Sequence, residues 1–153
     1  MTTSPDPAVL LAYGADVGAA TDLARAWDAL VSWRVHRRAG LRVRASGPAA
    51  VGSRVDLFLG PRFARMGGTD EVTELIETDG LARLTYRTRP GHAERGEQTF
   101  ELSTDGGRLR LDVSSRSATD HRLLMAFETA GRLGQQYMAM RYVGSMRRLL
   151  VRR

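Results

Sequence analysis

Cysteine, lysine and asparagine are all missing from this 153-residue chain. Without cysteine there is no disulfide, no thiolate metal site and no cysteine nucleophile, and the redox compartment is left open. Without lysine no Schiff base can form, and the phosphate-binding loop that ends in Gly-Lys-Ser/Thr is excluded. N-glycosylation falls with asparagine. Long apolar runs are also wanting: nothing approaches the roughly 20 residues of a membrane-spanning helix. The N-terminal stretch MTTSPDPAVLLAYGADV has no basic region ahead of its short apolar run, so it does not read as a secretory signal, and a cytoplasmic protein is expected.

Hydrophobic residues make up 42% of the chain and charged residues 26%, the balance of a globular protein. Its length fits one domain over residues 8–153, preceded by a flexible 1–7. The formal net charge of +6 comes wholly from arginine on the basic side. Most arginines alternate with apolar residues, as in Arg42, Arg44, Arg83, Arg87, Arg108 and Arg110, which is the pattern of a solvated sheet face. Only Arg147, Arg148, Arg152 and Arg153 form a concentrated basic patch, so a nucleic-acid-binding module ranks third among the readings.

A short apolar piece, Val9 to Tyr13, opens the chain as a candidate strand. Thr21-Asp22 is placed to cap a helix whose apolar positions Leu23, Trp27, Leu30 and Val31 recur at helical spacing; it weakens near Ser32 to His36 and stops by Gly40. The period then changes to two. Six strand-like segments follow, separated by Gly47-Pro48, Gly60-Pro61, Asp79-Gly80, the 90–96 loop and Asp105-Gly106-Gly107, and short turns make an antiparallel meander the simplest topology. From Asp120 onward Phe127, Gly131, Gly134, Met138, Tyr142, Ser145 and Leu149 share one helical stripe, with either a close approach or a break expected near its glycines. A sheet followed by a long amphipathic helix packs as an α+β domain with the helix across the sheet.

Two stretches carry a family resemblance. Trp33-Arg34-Val35-His36-Arg37-Arg38-Ala39-Gly40-Leu41 is one, and Tyr86 to Phe100 the other, whose core Pro90-Gly91-His92-Ala93-Glu94-Arg95-Gly96-Glu97 resembles the Pro-Gly-His-Pro-Glu-x-Gly-Glu signature of the DUF1990 family. Ala93 stands where that signature has Pro, and Gln98 where the family has Glu. The element order is similar to the START-like, or pollen-allergen-like, helix-grip superfamily (SRPBCC). That resemblance implies a curved antiparallel sheet of six to seven strands around a long C-terminal helix, with an internal cavity, and it implies no particular activity.

Chemistry-bearing residues concentrate in the same stretches. His92, Glu94 and Glu97 lie in or beside a turn; an imidazole oriented by a carboxylate can act as a general base, against the plainer reading that the carboxylates bind loop amides. One imidazole and two carboxylates are weak evidence for an open three-ligand metal site, and no metal or cofactor is expected. Strand periodicity turns Tyr86, Thr88, Gln98, Phe100 and Ser115 inward, and buried polar groups need partners. An apolar pocket with a few convergent polar groups is what a small-molecule site looks like. On that ground Tyr86, Thr88, Gln98, Phe100, Met138 and Tyr142 are expected to line a cavity, with Trp33, His36 and His92 at its mouth and Arg34 pairing either a loop carboxylate or a ligand anion. The leading expectation is a binding protein for a small hydrophobic or aromatic molecule. The alternative is a cyclase, hydratase or hydrolase acting on an aromatic or polyketide-like substrate, with His92 as base. Oligomeric state is not legible.

Overall fold

A computed structural model describes residues 8–60, 66–89, 96–117 and 121–151, the side chains of 8–11, 66, 117 and 121–135 excepted. Seven strands form one antiparallel sheet: β1 (Ala8–Ala19), β2 (Arg42–Ala45), β3 (Arg54–Leu59), β4 (Met66–Thr78), β5 (Leu81–Thr88), β6 (Gly96–Asp105) and β7 (Arg108–Ser117). Their spatial order is β1-β7-β6-β5-β4-β3-β2, so β2 to β7 run as an uninterrupted meander and β1 closes onto the last strand. The helices are α1 (Leu23–Val31), α2 (Arg34–Arg38) and α3 (His121–Leu150). This is the helix-grip arrangement, an α+β fold in which the terminal helix lies against a curved sheet.

Alternation along the central strands sorts side chains cleanly. Leu84, Phe100 and Val113 stand in one cross-strand row on the inner face and are wholly buried. Against them pack Leu30 of α1, Val35 of α2, and Ala139, Tyr142, Val143 and Met146 of α3, one continuous core. The arginines expected on a solvated face are there: Arg42, Arg44, Arg87, Arg108 and Arg110 are exposed, and Arg83 is held by Glu101 at 2.7 Å and Glu74 at 3.4 Å. A hydrogen bond of 2.7 Å from the Ser145 hydroxyl to the Val35 carbonyl ties α3 to α2.

Two local departures from regular geometry shape the inner face. Between α1 and α2 the backbone turns through Trp33 at φ 66°, the left-handed region that a bulky residue rarely enters. This is where the helical pattern weakens in the sequence, and the turn drives the indole into the core at 1% exposure. In β4 the pairing with β5 slips between Val72 and Glu74, a bulge that leaves Thr73 as the extra residue. α3 runs through Gly131 and Gly134, so of the two possibilities raised by those glycines a break is not taken.

A candidate ligand site on the inner face

Along the inner face, polarity rises toward one end of the strands. Beyond the Leu84–Phe100–Val113 row comes a row in which Val72, Tyr86, Gln98 and Ser115 are register partners across β4 to β7. Beyond that, Asp70 pairs with Thr88, at the end where β5 stops and β6 begins. Thr88 Oγ1 accepts the Gly96 N–H at 2.9 Å, closing the two strands together. Their link contains His92 and Glu94, which lie outside the described residues.

Tyr86 is the centre of the polar row. Its hydroxyl donates to Gln98 Oε1 at 2.9 Å and lies 3.1 Å from His36 Nε2, with the Tyr142 side chain close by. A phenol has one proton and two acceptor lone pairs. Because that proton goes to Gln98 Oε1, which cannot donate, His36 must donate into Tyr86. His36 is therefore the Nε2–H tautomer, with a bare lone pair on Nδ1, and Nδ1 is buried without a partner. Burial, with the nearby Arg37 charge adding to it, pushes His36 down to about 3, so the ring is neutral at ordinary pH. Burial likewise holds both phenols above the usual tyrosine value; the neighbouring Tyr142 and the Asp70 carboxylate add to it for Tyr86.

Around this chain of hydrogen bonds sits an aromatic box. His36 lies 5.0 Å from Trp33, 5.0 Å from Phe100 and 5.2 Å from Tyr142, centroid to centroid. Phe100 and Tyr142 meet edge to face at 5.0 Å, a favoured geometry for aromatic pairs. The indole N–H of Trp33 is buried without a hydrogen-bond partner, as is His36 Nδ1.

The structure thus brings together Trp33, His36, Tyr86, Gln98, Phe100 and Tyr142, with Thr88 next along the sheet and Met138 half-buried against the same core. It differs from the sequence-based picture on position: Trp33 and His36 are not at a mouth but wholly enclosed, because the left-handed turn tucks both rings under α3. Arg34 is turned away from this face. Its guanidinium binds Asp28 at 2.6 Å and Ser32 Oγ at 3.1 Å, an exposed ion pair within the helical segment. Glu97 lies on the opposite face of the sheet from Gln98, since neighbours on a strand point apart. There it belongs to a ladder of alternating charge running Arg54, Glu71, Arg87, Glu97, Arg116 in register across five strands.

One site residue escapes a plain reading of the pattern. Asp70 is half-buried on the inner face, and burial, with the Asp56 carboxylate adding to it, pushes it up to about 7. No hydrogen bond or ion pair reaches its carboxyl among the described residues. Strict alternation backward from Leu75 would have placed Thr73 and Glu71 inside and Asp70 outside; the bulge reverses that phase. The signal was the spacing of three between Val72 and Leu75, where an unbroken strand needs two or four.

The sequence matches the family described as "Domain of unknown function (DUF1990)" over residues 2–145. The chain belongs to that family. Solved structures similar in fold include a hypothetical protein from Helicobacter pylori, 12% identical with TM-score 0.63, over 90% of this chain and 86% of that one. Truncated norcoclaurine synthase from Thalictrum flavum is 12% identical with TM-score 0.64, over 100% and 99% of the two chains. The di-domain ARO/CYC protein of the steffimycin biosynthetic pathway is 9% identical with TM-score 0.67, over 92% of this chain and 50% of that one. At these identities the likeness is one of fold. No functionally curated protein matches the sequence.

Proposed function

We propose that this protein binds a small, largely apolar or aromatic molecule at the polar end of its inner sheet face, against the Trp33–His36–Tyr86–Phe100–Tyr142 box. The observation that carries the reading is the His36–Tyr86–Gln98 hydrogen-bond chain. A core closed purely for stability has little use for a buried imidazole and phenol whose chain ends on a half-exposed amide, whereas an apolar site with a few directed polar groups has that composition. The START-like fold supports the reading, and two proteins that share it are named as a synthase and an ARO/CYC; fold alone does not carry activity. The test is mass spectrometry of the small molecules that co-purify with the protein, followed by thermal-shift titration with bicyclic and tricyclic aromatics. Stabilisation that Phe100→Ala abolishes supports the site. Absence of any bound compound, with no shift across the series, sinks it.

A second reading, an enzyme of cyclase, hydratase or hydrolase type on a polyketide-like or aromatic substrate, is favoured by Asp70. A carboxyl titrating near neutrality beside two phenols is suited to proton transfer. His92, the general base expected from sequence, and Glu94 fall between β5 and β6 in the chain, outside the described residues, and remain candidates with Asp70. Turnover lost in Asp70→Asn or His92→Ala while ligand affinity is kept separates catalysis from binding.

A further inference from the structure

Donors and acceptors on the inner face do not balance, and the imbalance specifies what the missing partner must offer. Gln98 spends its carbonyl oxygen on Tyr86, so its remaining capacity is two N–H donors, and these have no protein partner among the described residues. Asp70 stands two strands away on β4, with Tyr86 and Thr88 of β5 between them. Strands lie about 4.8 Å apart, so an atom resting over β5 is within side-chain reach of both. No arginine among the described residues is bonded to either group. A site for a carboxylate or phosphate would be expected to offer a guanidinium, and the described arginines of β4 to β7 occupy the outer face.

We propose that Asp70 and Gln98 form a two-donor seat for a neutral carbonyl oxygen, so that the ligand is an apolar ring compound bearing a ketone or quinone group. The proposal rests on the binding reading above and narrows it. For Asp70 to donate it must be protonated. Its burial, the Asp56 carboxylate on β3, and the absence of a facing cation among the described residues all favour that form near neutral pH; the other titratable groups around it among the described residues are the phenols of Tyr86 on β5 and Tyr142 on α3, both neutral. An ionised Asp70 would instead select an ammonium, and pH separates the two cases.

The experiment measures binding of three compounds on one skeleton, 1-tetralone, tetralin and 1-aminotetralin, to the full chain by calorimetry or ligand-observed NMR at pH 6 and pH 9. A donated hydrogen bond worth about 1 kcal/mol gives roughly a five-fold preference. Expected at pH 6 is tetralone bound about five-fold or more tighter than tetralin. That preference should be lost at pH 9, where the ionised carboxylate repels the carbonyl oxygen, and should fall at both pH values in Asp70→Ala, where Gln98 is left as the single donor. Asp70→Asn, which keeps an N–H donor that does not titrate, should retain it at pH 9, and Gln98→Leu should reduce it. Equal binding of ketone and hydrocarbon overturns the carbonyl seat while leaving an apolar site standing. Tighter binding of the amine at pH 9 replaces the seat with a cation site. Failure of all three compounds to bind removes the underlying reading as well. Near-ultraviolet circular dichroism of each variant distinguishes lost binding from lost folding.

Discussion

Tyr86 shows how one atom can organise a site. Its hydroxyl oxygen accepts from His36 and donates to Gln98, so the Tyr86→Phe change leaves a buried donor and an acceptor without their partner. An unmade buried hydrogen bond costs about 1–3 kcal/mol, and the His36 N–H has no other described partner. Tyr86→Phe is therefore expected to destabilise by at least about 2 kcal/mol in urea unfolding, despite removing a single atom. Glu97 makes the opposite case. It is exposed on the outer face, and cross-strand charge pairs of that kind contribute about 0.2–1 kcal/mol. Glu97→Ala should lower stability by no more than that and leave ligand binding unchanged; a large loss of binding would place Glu97 in the site after all.

At the level of strands and helices, the residues that position the site are those that break regularity. Gly67, the second residue of β4, stands opposite Phe58 at φ 135°, and a Cβ there would run into the backbone carbonyl of Leu57. That region of backbone space is open essentially to glycine alone, at a cost on the order of 1–3 kcal/mol for other residues. Gly67→Ala should cost at least about 2 kcal/mol by denaturant melting, and it should also disturb Asp70 three residues on, read as a change in the Asp70 carboxyl titration by NMR. The regular parts of the fold could be read directly. Alternation of period two in Leu84-Tyr86, Gln98-Phe100 and Leu111-Val113-Ser115 assigned the inner face correctly because those strands pair without a slip in the center of the sheet. What escaped is what periodicity cannot encode: the bulge at Thr73 that turns Asp70 inward, and the left-handed Trp33 that buries His36. Both depend on tertiary contacts outweighing a local backbone preference.

For the molecule as a whole, Asp70 and His36 set two opposing pH dependences. His36 binds a proton near pH 6.5 when unfolded but only near 3 when folded, so its contribution to stability is present above 6.5 and is lost as pH falls toward 3. Asp70 behaves inversely. Its folded value of about 7 lies above the ordinary 3.8, so its contribution is fully present below about 3.8 and is lost as pH rises through 7. Between these limits the two slopes have opposite sign, each at most about 1.4 kcal/mol per pH unit, and they largely offset one another. Asp70→Asn removes one side of that balance. The difference in unfolding free energy, variant minus parent, should grow as pH rises from 4 to 7 and level off above about 7.5. Guanidinium unfolding at half-unit pH intervals measures it, and because every other titrating group is common to both proteins, the difference isolates Asp70. A difference that stays constant across that range would mean the Asp70 carboxyl titrates like a solvent-exposed one. The carbonyl seat would then lose the proton it donates.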